Sequence, residues 1–357
     1  MRTAAAIHCS SRLPFRERTD RPCYSTLVTD AEKIPYSHSK PAPKSEQSGH
    51  RKATKYQYFE AETSAEVVNA RMAPAINPRL RQVMTAIVKH LHAAVKEIEP
   101  TQDEWLAAIK FLTDTGHMCT DWRQEFILLS DTLGVSMLVD AINNRRPNGA
   151  TENTILGPFY VPNAPQYESG GNISLDGKGE PLVVRGRVTD TRGNPIAGAK
   201  IDVWQTNDDG FYDVQQKGVQ PDMNLRGLFN SNVNGEYWFR SSKPRYYPIP
   251  DDGPVGKLLH QMGRHPNRAA HLHMIVTAPG FEPVVTHIFT PDCPYLEEDA
   301  VFGVKESLIA DFKRVDDPVE AKALNFINPF WSVNWDFVLA PAKAGVAERT
   351  MFHVSGR

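Results

Sequence analysis

The hydrophobic periodicity of this chain changes at the turn Pro147-Asn-Gly149. Before the turn, apolar residues recur at spacings of three and four, which is the period of an amphipathic helix. After it they alternate in short runs, separated by clusters of Gly, Pro, Asn and Asp. Side chains on one face recur about every 3.6 residues in a helix and every two residues in a strand, so each pattern favours its own type of element. The sequence therefore predicts an α+β chain, with a helical N-terminal domain followed by an all-β sandwich.

Three helices are predicted before the turn. The first covers residues 77–99 and ends at Pro100, which cannot continue a helix. Thr101-Gln-Asp-Glu104 is a capping box, so a second helix starts there and stops near Gly116. The third covers residues 122–144 and is broken near Gly134.

The strands after the turn are short and have no ten-residue helical pattern between them. They are predicted at residues 183–189, 200–204, 235–240, 271–277, 284–289 and 335–340. A parallel α/β sheet needs a helical crossover between successive strands. The pattern therefore favours a β-sandwich over an α/β fold.

Composition excludes several classes of protein. The 357 residues carry 40 Lys and Arg against 42 Asp and Glu, a net charge of −2, so nucleic acid is not an expected partner. No run of about 18 apolar residues is long enough to predict a membrane span. Four cysteines without a CxxC pair are too few for a disulfide framework, which fits a reducing compartment such as the cytoplasm.

Four segments are predicted along the chain: a disordered extension at residues 1–62, a helical domain at 63–148, a β-sandwich domain at 149–345 and a tail at 346–357. The first 60 residues hold 11 Lys and Arg against 6 Asp and Glu, together with scattered Ser and Pro. Arginines and serines in this arrangement resemble a weak organelle-targeting presequence, but Glu17 and Asp20 interrupt the acid-poor pattern. A solvated tail is the preferred interpretation.

The sequence His-Leu-His occurs twice, in two different structural settings. His90 and His92 lie in a predicted helix, where residues two apart point about 200° apart and cannot converge on one ion. His271 and His273 lie in a predicted strand, where residues two apart share a face. The second pair can therefore bind one metal, although a pair of packed histidines would have the same spacing.

Two tyrosines are candidates to complete such a site. Tyr212 follows the predicted strand that ends at Trp204, and Tyr247 lies in the rigid segment Arg245-Tyr-Tyr-Pro-Ile-Pro250. A phenol ionises at a pKa of about 10, so a tyrosinate ligand requires a strong Lewis acid such as ferric iron. From the residues alone, both tyrosines are equally compatible with packing and hydrogen bonding in loops.

Longer stretches around these residues resemble the intradiol ring-cleavage dioxygenases. The similarity extends from about residue 65 to about residue 340. It is carried by Glu152-Asn-Thr-Ile-Leu-Gly-Pro-Phe-Tyr160, the Gly-Phe-Tyr212 turn, Tyr247-Pro-Ile-Pro250 and Gly263-Arg-His-Pro-Asn-Arg-Ala-Ala-His-Leu-His273. The resemblance implies a catalytic β-sandwich and a non-haem Fe(III) cofactor.

The metal ligands implied by this resemblance are Tyr212, Tyr247, His271 and His273. Tyr247 is preferred over Tyr246 because the second tyrosine of the family precedes a proline, as Tyr247 does here. Arg268 matches the family arginine that directs the substrate toward reaction with oxygen. Tyr247 is also expected to take up a substrate proton, so Arg268 and Tyr247 are the predicted catalytic residues.

Within the family, the chain most resembles the members that cleave hydroxyquinol (benzene-1,2,4-triol). The resemblance implies substrate-binding residues at Leu128, Asp131, Ile155, Pro158, Phe159, His287, Ala300 and Val301. A carboxylate at Asp131 would accept a hydrogen bond from the third ring hydroxyl, which catechol lacks. His287 is a second candidate for substrate discrimination or for support of Arg268, and Tyr160 is expected in the pocket wall.

The expected reaction is ortho cleavage of the aromatic ring by O2, giving 3-hydroxy-cis,cis-muconate, the tautomer of maleylacetate, from hydroxyquinol. A catechol 1,2-dioxygenase, giving cis,cis-muconate, is the alternative within the family. A metal-free β-sandwich binding module is the alternative outside it. The resemblance also implies a homodimer formed through the N-terminal helices, with a phospholipid as a candidate ligand there.

Overall fold

A computed structural model describes residues 58–73, 77–120 and 123–342. The predicted tail and all but the last five residues of the predicted extension lie outside these residues. The chain divides into two compact units after Ile98. Among the described residues, no helix is both long enough and apolar enough to cross a membrane.

The first unit contains α1 (Ser64–Ala70) and α2 (Pro78–Ile98). The helix predicted at residues 77–99 is therefore present, and α1 was not predicted. His90 is exposed, and His92 Nδ1 lies 3.0 Å from Ser64 Oγ, so the histidines of the first His-Leu-His sequence do not form a site.

Three more helices open the second unit: α3 (Gln102–Met118), α4 (Glu125–Thr132) and α5 (Val135–Asn143). Thr101 and Glu104 form the predicted capping box at the start of α3. Gly134 has a φ of 72°, a left-handed conformation that ends α4 and breaks the third predicted helix. The change from helices to strands near residue 148 thus lies inside one compact unit.

Two sheets pack face to face in the second unit. The strands and the remaining helices are β1 (Pro181–Asp190), β2 (Lys200–Trp204), β3 (Arg226–Asn230), β4 (Glu236–Ser242), β5 (Tyr247–Pro248), α6 (Pro254–Gln261), β6 (Asn267–Arg268), β7 (His271–Thr277), β8 (Val284–Phe289), β9 (Lys313–Val315), α7 (Pro318–Ala323), β10 (Phe330–Asn334) and β11 (Phe337–Leu339). One sheet is built around β1, which pairs with β4, β10 and β11, while β9 pairs with β10. The other has the order β3-β2-β7-β8, and β5 pairs separately with β6.

The α+β fold with a β-sandwich is therefore confirmed. Apolar side chains from the inner faces of both sheets form one core, which includes Val184, Phe239, Leu272, Met274 and Ile288. The strand β7 is buried on both faces: alternate residues enter this core, while His271 and His273 face the other way. The second face of β7 carries the candidate site.

Candidate metal centre

Three strand pairs bring the candidate ligands and their neighbours together. In the antiparallel register, His273 of β7 lies opposite Trp204 of β2 on one side and opposite His287 of β8 on the other. The short β5–β6 pair places Tyr247 opposite Arg268, just before β7 begins. The ladder hydrogen bonds therefore fix the positions of these side chains relative to each other.

The loop after β2 brings Tyr212 to the same place. Asn207 Oδ1 accepts hydrogen bonds from the backbone N–H groups of Asp209 and Phe211, which closes a tight turn. Gly210 in this turn has a φ of 83°, and a Cβ there would lie 3.3 Å from Tyr247 Cβ. The turn therefore requires glycine to bring Tyr212 beside Tyr247.

Four polar atoms form a compact cluster at this point. Tyr212 Oη lies 3.0 Å from Tyr247 Oη and 2.9 Å from His273 Nε2. His273 Nε2 lies 3.1 Å from His271 Nε2. All four side chains are at most 4% exposed. Two phenol oxygens and two imidazole nitrogens so arranged are a donor set for a transition metal.

The electrostatics of the cluster fit a bound cation. Burial, with Tyr247 adding to it, raises the pKa of Tyr212 well above its ordinary value, so the phenol loses its proton only to a strong positive charge. Burial, followed by the charge of Arg268, lowers the pKa of His271 to about 3, and burial lowers that of His273 as well. Both imidazoles are neutral, as metal ligands must be.

The choice between the two adjacent tyrosines is clear in the structure. Tyr246 is 38% exposed, and its ring packs edge-on against Tyr295. Tyr247 is 4% exposed and contributes its oxygen to the cluster. Of the two tyrosines, Tyr247 is therefore the one whose oxygen lies in the cluster.

Arg268 is a buried cation next to the cluster. Its Nε lies 3.3 Å from Asp299 Oδ1, and Asp299 also accepts hydrogen bonds from the N–H groups of Ala269 and Gly303. Burial opposes ionisation of Asp299, but Arg268 and the two N–H groups outweigh it and lower the pKa of that carboxyl. Arg268 Nη2 is buried and has no hydrogen-bond partner among the described residues, so it is free to donate to a ligand.

Comparison with known proteins shows the family of the chain. A family profile described as "Dioxygenase" matches residues 155–341, and one described as "Catechol dioxygenase N terminus" matches residues 77–151. The chain is 64% identical to a hydroxyquinol 1,2-dioxygenase of a Rhizobium strain, over 79% of this chain and 96% of that protein. The chain belongs to the intradiol ring-cleavage dioxygenases.

Two further members of the intradiol dioxygenases extend the comparison. The structure of a hydroxyquinol 1,2-dioxygenase from Pseudomonas putida DLL-E4 superposes with a TM-score of 0.73 at 45% identity, covering 79% of this chain and 97% of that one. A catechol 1,2-dioxygenase of Candida albicans is 40% identical over 71% of this chain and 84% of that protein. This intradiol dioxygenase is therefore an enzyme, and the alternative of a metal-free binding module is set aside.

The predicted pocket residues form two packed groups, of which the first contacts the cluster. Phe159 stacks on Tyr212 with ring centroids 4.7 Å apart. Leu128 and Ile155 pack against buried Ala300 and Val301. Pro158 is exposed.

Asp131 is a half-buried residue of α4, the helix that also carries Leu128. Burial raises the pKa of Asp131, while a hydrogen bond from Ser136 and the positive charge of Arg268 partly oppose the rise. The carboxylate is therefore a poorly solvated acceptor that senses the charge of Arg268.

Sequence reasoning missed two residues that position the site. Trp204 stacks nearly parallel on the His273 ring, with centroids 4.6 Å apart. Asp299 anchors Arg268 from 31 residues away in the chain. Trp204 ends a predicted strand and has a local signal, but nothing in the sequence around Asp299 indicates its partner.

Proposed function

We propose that this chain opens the ring of hydroxyquinol between its two adjacent hydroxyl-bearing carbons. Both atoms of O2 enter the product, 3-hydroxy-cis,cis-muconate, which is the tautomer of maleylacetate. The observation that carries the choice of substrate is the half-buried carboxylate of Asp131, which lies on α4 together with Leu128 and is close enough to Arg268 to sense its charge. Relatives named as hydroxyquinol or 6-chlorohydroxyquinol 1,2-dioxygenases, 46–64% identical to this chain, support it.

The metal in this proposal is ferric iron, held by Tyr212, Tyr247, His271 and His273. Two phenolate oxygens are hard, anionic donors that favour a trivalent ion, and the two neutral imidazoles suit iron as well. When bound, ferric iron supplies a Lewis acid for the two adjacent ring oxygens of the substrate. The buried cluster of two oxygens and two nitrogens supports this assignment.

The side chains have separate tasks in this proposal. Tyr247 Oη takes up one of the protons that the adjacent ring hydroxyls lose. Arg268 donates from its free Nη2 to the negative charge that develops on the ring. Water is excluded from the faces of the substrate ring by the apolar side chains of Phe159, Leu128, Ile155, Ala300 and Val301.

Asp131 gives the preference for a third hydroxyl. Its carboxylate accepts a hydrogen bond from the hydroxyl that catechol does not have, so with catechol this poorly solvated acceptor would make one hydrogen bond fewer. Catechol is therefore the slower substrate in this proposal, with cis,cis-muconate as its product.

The visible spectrum of the iron-loaded protein tests the proposal, because phenolate bound to ferric iron absorbs visible light. Anaerobic titration with hydroxyquinol is expected to shift the band at lower concentration than catechol does, and O2 uptake is expected to be faster with hydroxyquinol. The variant His271→Ala is the control and is expected to lose both iron and band. A protein that stays colourless after iron loading would contradict the iron site. A preference for catechol would contradict the substrate.

Assembly is part of the same proposal. The helix α2 has no buried residue and exposes apolar side chains along one face, so we propose that it contributes to a homodimer and that a phospholipid binds there. A cytoplasmic location is likewise proposed. Sedimentation of the purified protein would test the homodimer, and mass spectrometry of its lipid extract would test the bound phospholipid.

A further inference from the structure

His287 contacts a candidate metal ligand from the side away from the tyrosines. It lies on β8 directly opposite His273 and is fully buried. Its Nε2 is 2.7 Å from His273 Nδ1, whereas the other nitrogen of His273, Nε2, faces Tyr212. His287 is thus hydrogen-bonded to the back of the His273 ring and is not part of the four-atom cluster.

A hydrogen bond between two imidazole nitrogens requires one proton between them. A neutral histidine binds a metal through the nitrogen that carries no proton, so His273 can ligate through Nε2 only if its proton is on Nδ1. His273 Nδ1–H must then donate the hydrogen bond to His287, and His287 Nε2 must accept it.

His271 reaches the same tautomer by a different route. Its Nδ1 is 2.5 Å from the carbonyl oxygen of Ala269, and a carbonyl can only accept a hydrogen bond. The proton of His271 is therefore on Nδ1, and its Nε2 lone pair faces the cluster. For His273, the acceptor that faces Nδ1 is His287 and not a carbonyl oxygen.

The consequence for His287 is a buried N–H with no partner. If its Nε2 accepts, its own proton is on Nδ1, and this atom has no hydrogen-bond partner among the described residues. A buried donor without a hydrogen-bond partner destabilises the folded state, so stability alone does not explain a histidine at this position. A leucine of similar volume would avoid this cost.

We propose that His287 is a positioning residue, which holds His273 in the Nδ1–H tautomer and in the ring orientation that metal binding through Nε2 requires. This inference rests on the proposed metal site but not on the choice of substrate. It assigns His287 a role toward a metal ligand, in addition to the substrate-binding role predicted from the sequence.

Two variants separate positioning from simple packing. His287→Gln retains an acceptor, because its amide oxygen can accept a hydrogen bond from His273 Nδ1–H, whereas His287→Leu fills the space without one. Iron content and the rate of iron release to a ferric chelator are measured for the full-length, iron-loaded proteins, and the release of Zn(II) is measured in parallel. Loss of such an outer hydrogen bond weakens metal affinity by about 10–100-fold, so His287→Leu is expected to release metal faster by that factor. His287→Gln is expected to release metal at the rate of the unmodified protein.

Each outcome decides the inference. Equal retention by His287→Leu and the unmodified protein would overturn it, as would equal losses in both variants. If the unmodified protein binds metal but does not cleave hydroxyquinol, the substrate proposal fails while metal retention still tests His287. If it binds neither metal, both proposals fail.

A second measurement applies if His287→Leu does not fold. Long-range ¹H–¹⁵N correlation of histidine-labelled protein loaded with diamagnetic Ga(III) reports which ring nitrogen carries each proton. Protons on Nδ1 of His273 and on Nδ1 of His287 are expected. A proton on Nε2 of His287 would overturn the inference.

Discussion

Arg264 Nη1 donates a hydrogen bond to the carbonyl oxygen of Thr132 at 2.5 Å. This contact joins the end of α4, which carries Leu128 and Asp131, to the loop that precedes Arg268. Arg264 Nη2 also donates to the carbonyl oxygen of Ala300 at 2.9 Å, and its guanidinium lies 4.7 Å from the Phe302 ring centroid. One arginine thus connects two walls of the proposed pocket to the segment that leads into β7.

Replacement of this arginine tests the connection. Arg264→Met removes two charge-assisted hydrogen bonds of about 1.5–3 kcal/mol each, so the free energy of unfolding is expected to fall by about 3–6 kcal/mol in urea denaturation. The KM for hydroxyquinol is expected to rise more than kcat falls, because the pocket wall loosens while the metal ligands stay. Arg245→Met is the matched control, since Arg245 is half exposed and pairs with Asp208 only at 3.6 Å. Similar effects of the two substitutions would contradict the connecting role.

Substrate preference is expected to depend on Asp131. Asp131→Ala removes the proposed acceptor for the third hydroxyl, and a hydrogen bond to a charged group contributes about 1.5–3 kcal/mol. The value of kcat/KM for hydroxyquinol is expected to fall by about 10–100-fold, while that for catechol stays nearly constant. O2 uptake with both substrates measures the ratio. Asp114→Ala, on the exposed side of α3, is the control and is expected to change neither value. Parallel losses for both substrates would show that Asp131 does not discriminate.

A buried ion pair joins Arg226 to Asp213, the residue that follows Tyr212. Arg226 Nη2 lies 2.6 Å from Asp213 Oδ1, and Arg226 is 1% exposed. Arg226→Met leaves the Asp213 carboxylate buried without its partner, so the free energy of unfolding is expected to fall by about 3–5 kcal/mol. The visible band of the iron form is also expected to shift, because Asp213 follows Tyr212 directly. The double variant Arg226→Met/Asp213→Asn is expected to recover part of the stability, and no recovery would argue against the pair as the cause.

Much of the fold follows from local sequence signals. The capping box at Thr101 and Glu104 predicts the start of α3, and Gly134 predicts the break between α4 and α5, because each depends on residues close in sequence. The strands β2, β7 and β8 have the predicted bounds, since their hydrophobic runs end at turn residues. The two-residue strands β5 and β6 carry no such pattern and were not predicted.

The site was predictable only in part, because several of its contacts join residues that are far apart in the sequence. The spacing of His271 and His273 in a strand indicates a shared face, but the choice of Tyr212 and Tyr247 came from resemblance to a family. The contact between His287 and His273 depends on the register of β7 against β8. Register is determined by the connecting turn and by packing on both faces, and neither could be derived from the strand sequences themselves.

The stability of the protein is expected to depend on pH through Asp202. Burial raises the pKa of Asp202 to about 6, although the hydrogen bond from Tyr160 and the charge of Arg226 partly oppose the rise. The native state therefore holds this proton more tightly than the unfolded state does. As the pH rises from about 4 to about 6, this group makes the free energy of unfolding smaller, by at most about 3 kcal/mol.

Asp202→Asn removes this cost while its amide oxygen still accepts from Tyr160. The variant is expected to be more stable than the unmodified protein at pH 8, by at most about 3 kcal/mol, and equally stable at pH 4. Urea unfolding of the metal-free proteins across this range measures the difference, so that loss of metal in acid does not contribute. Asp208→Asn changes a more exposed acid and is the control, with no pH-dependent gain of this size expected. A constant difference between Asp202→Asn and the unmodified protein from pH 4 to pH 8 would mean that the charge of Asp202 is not the cause.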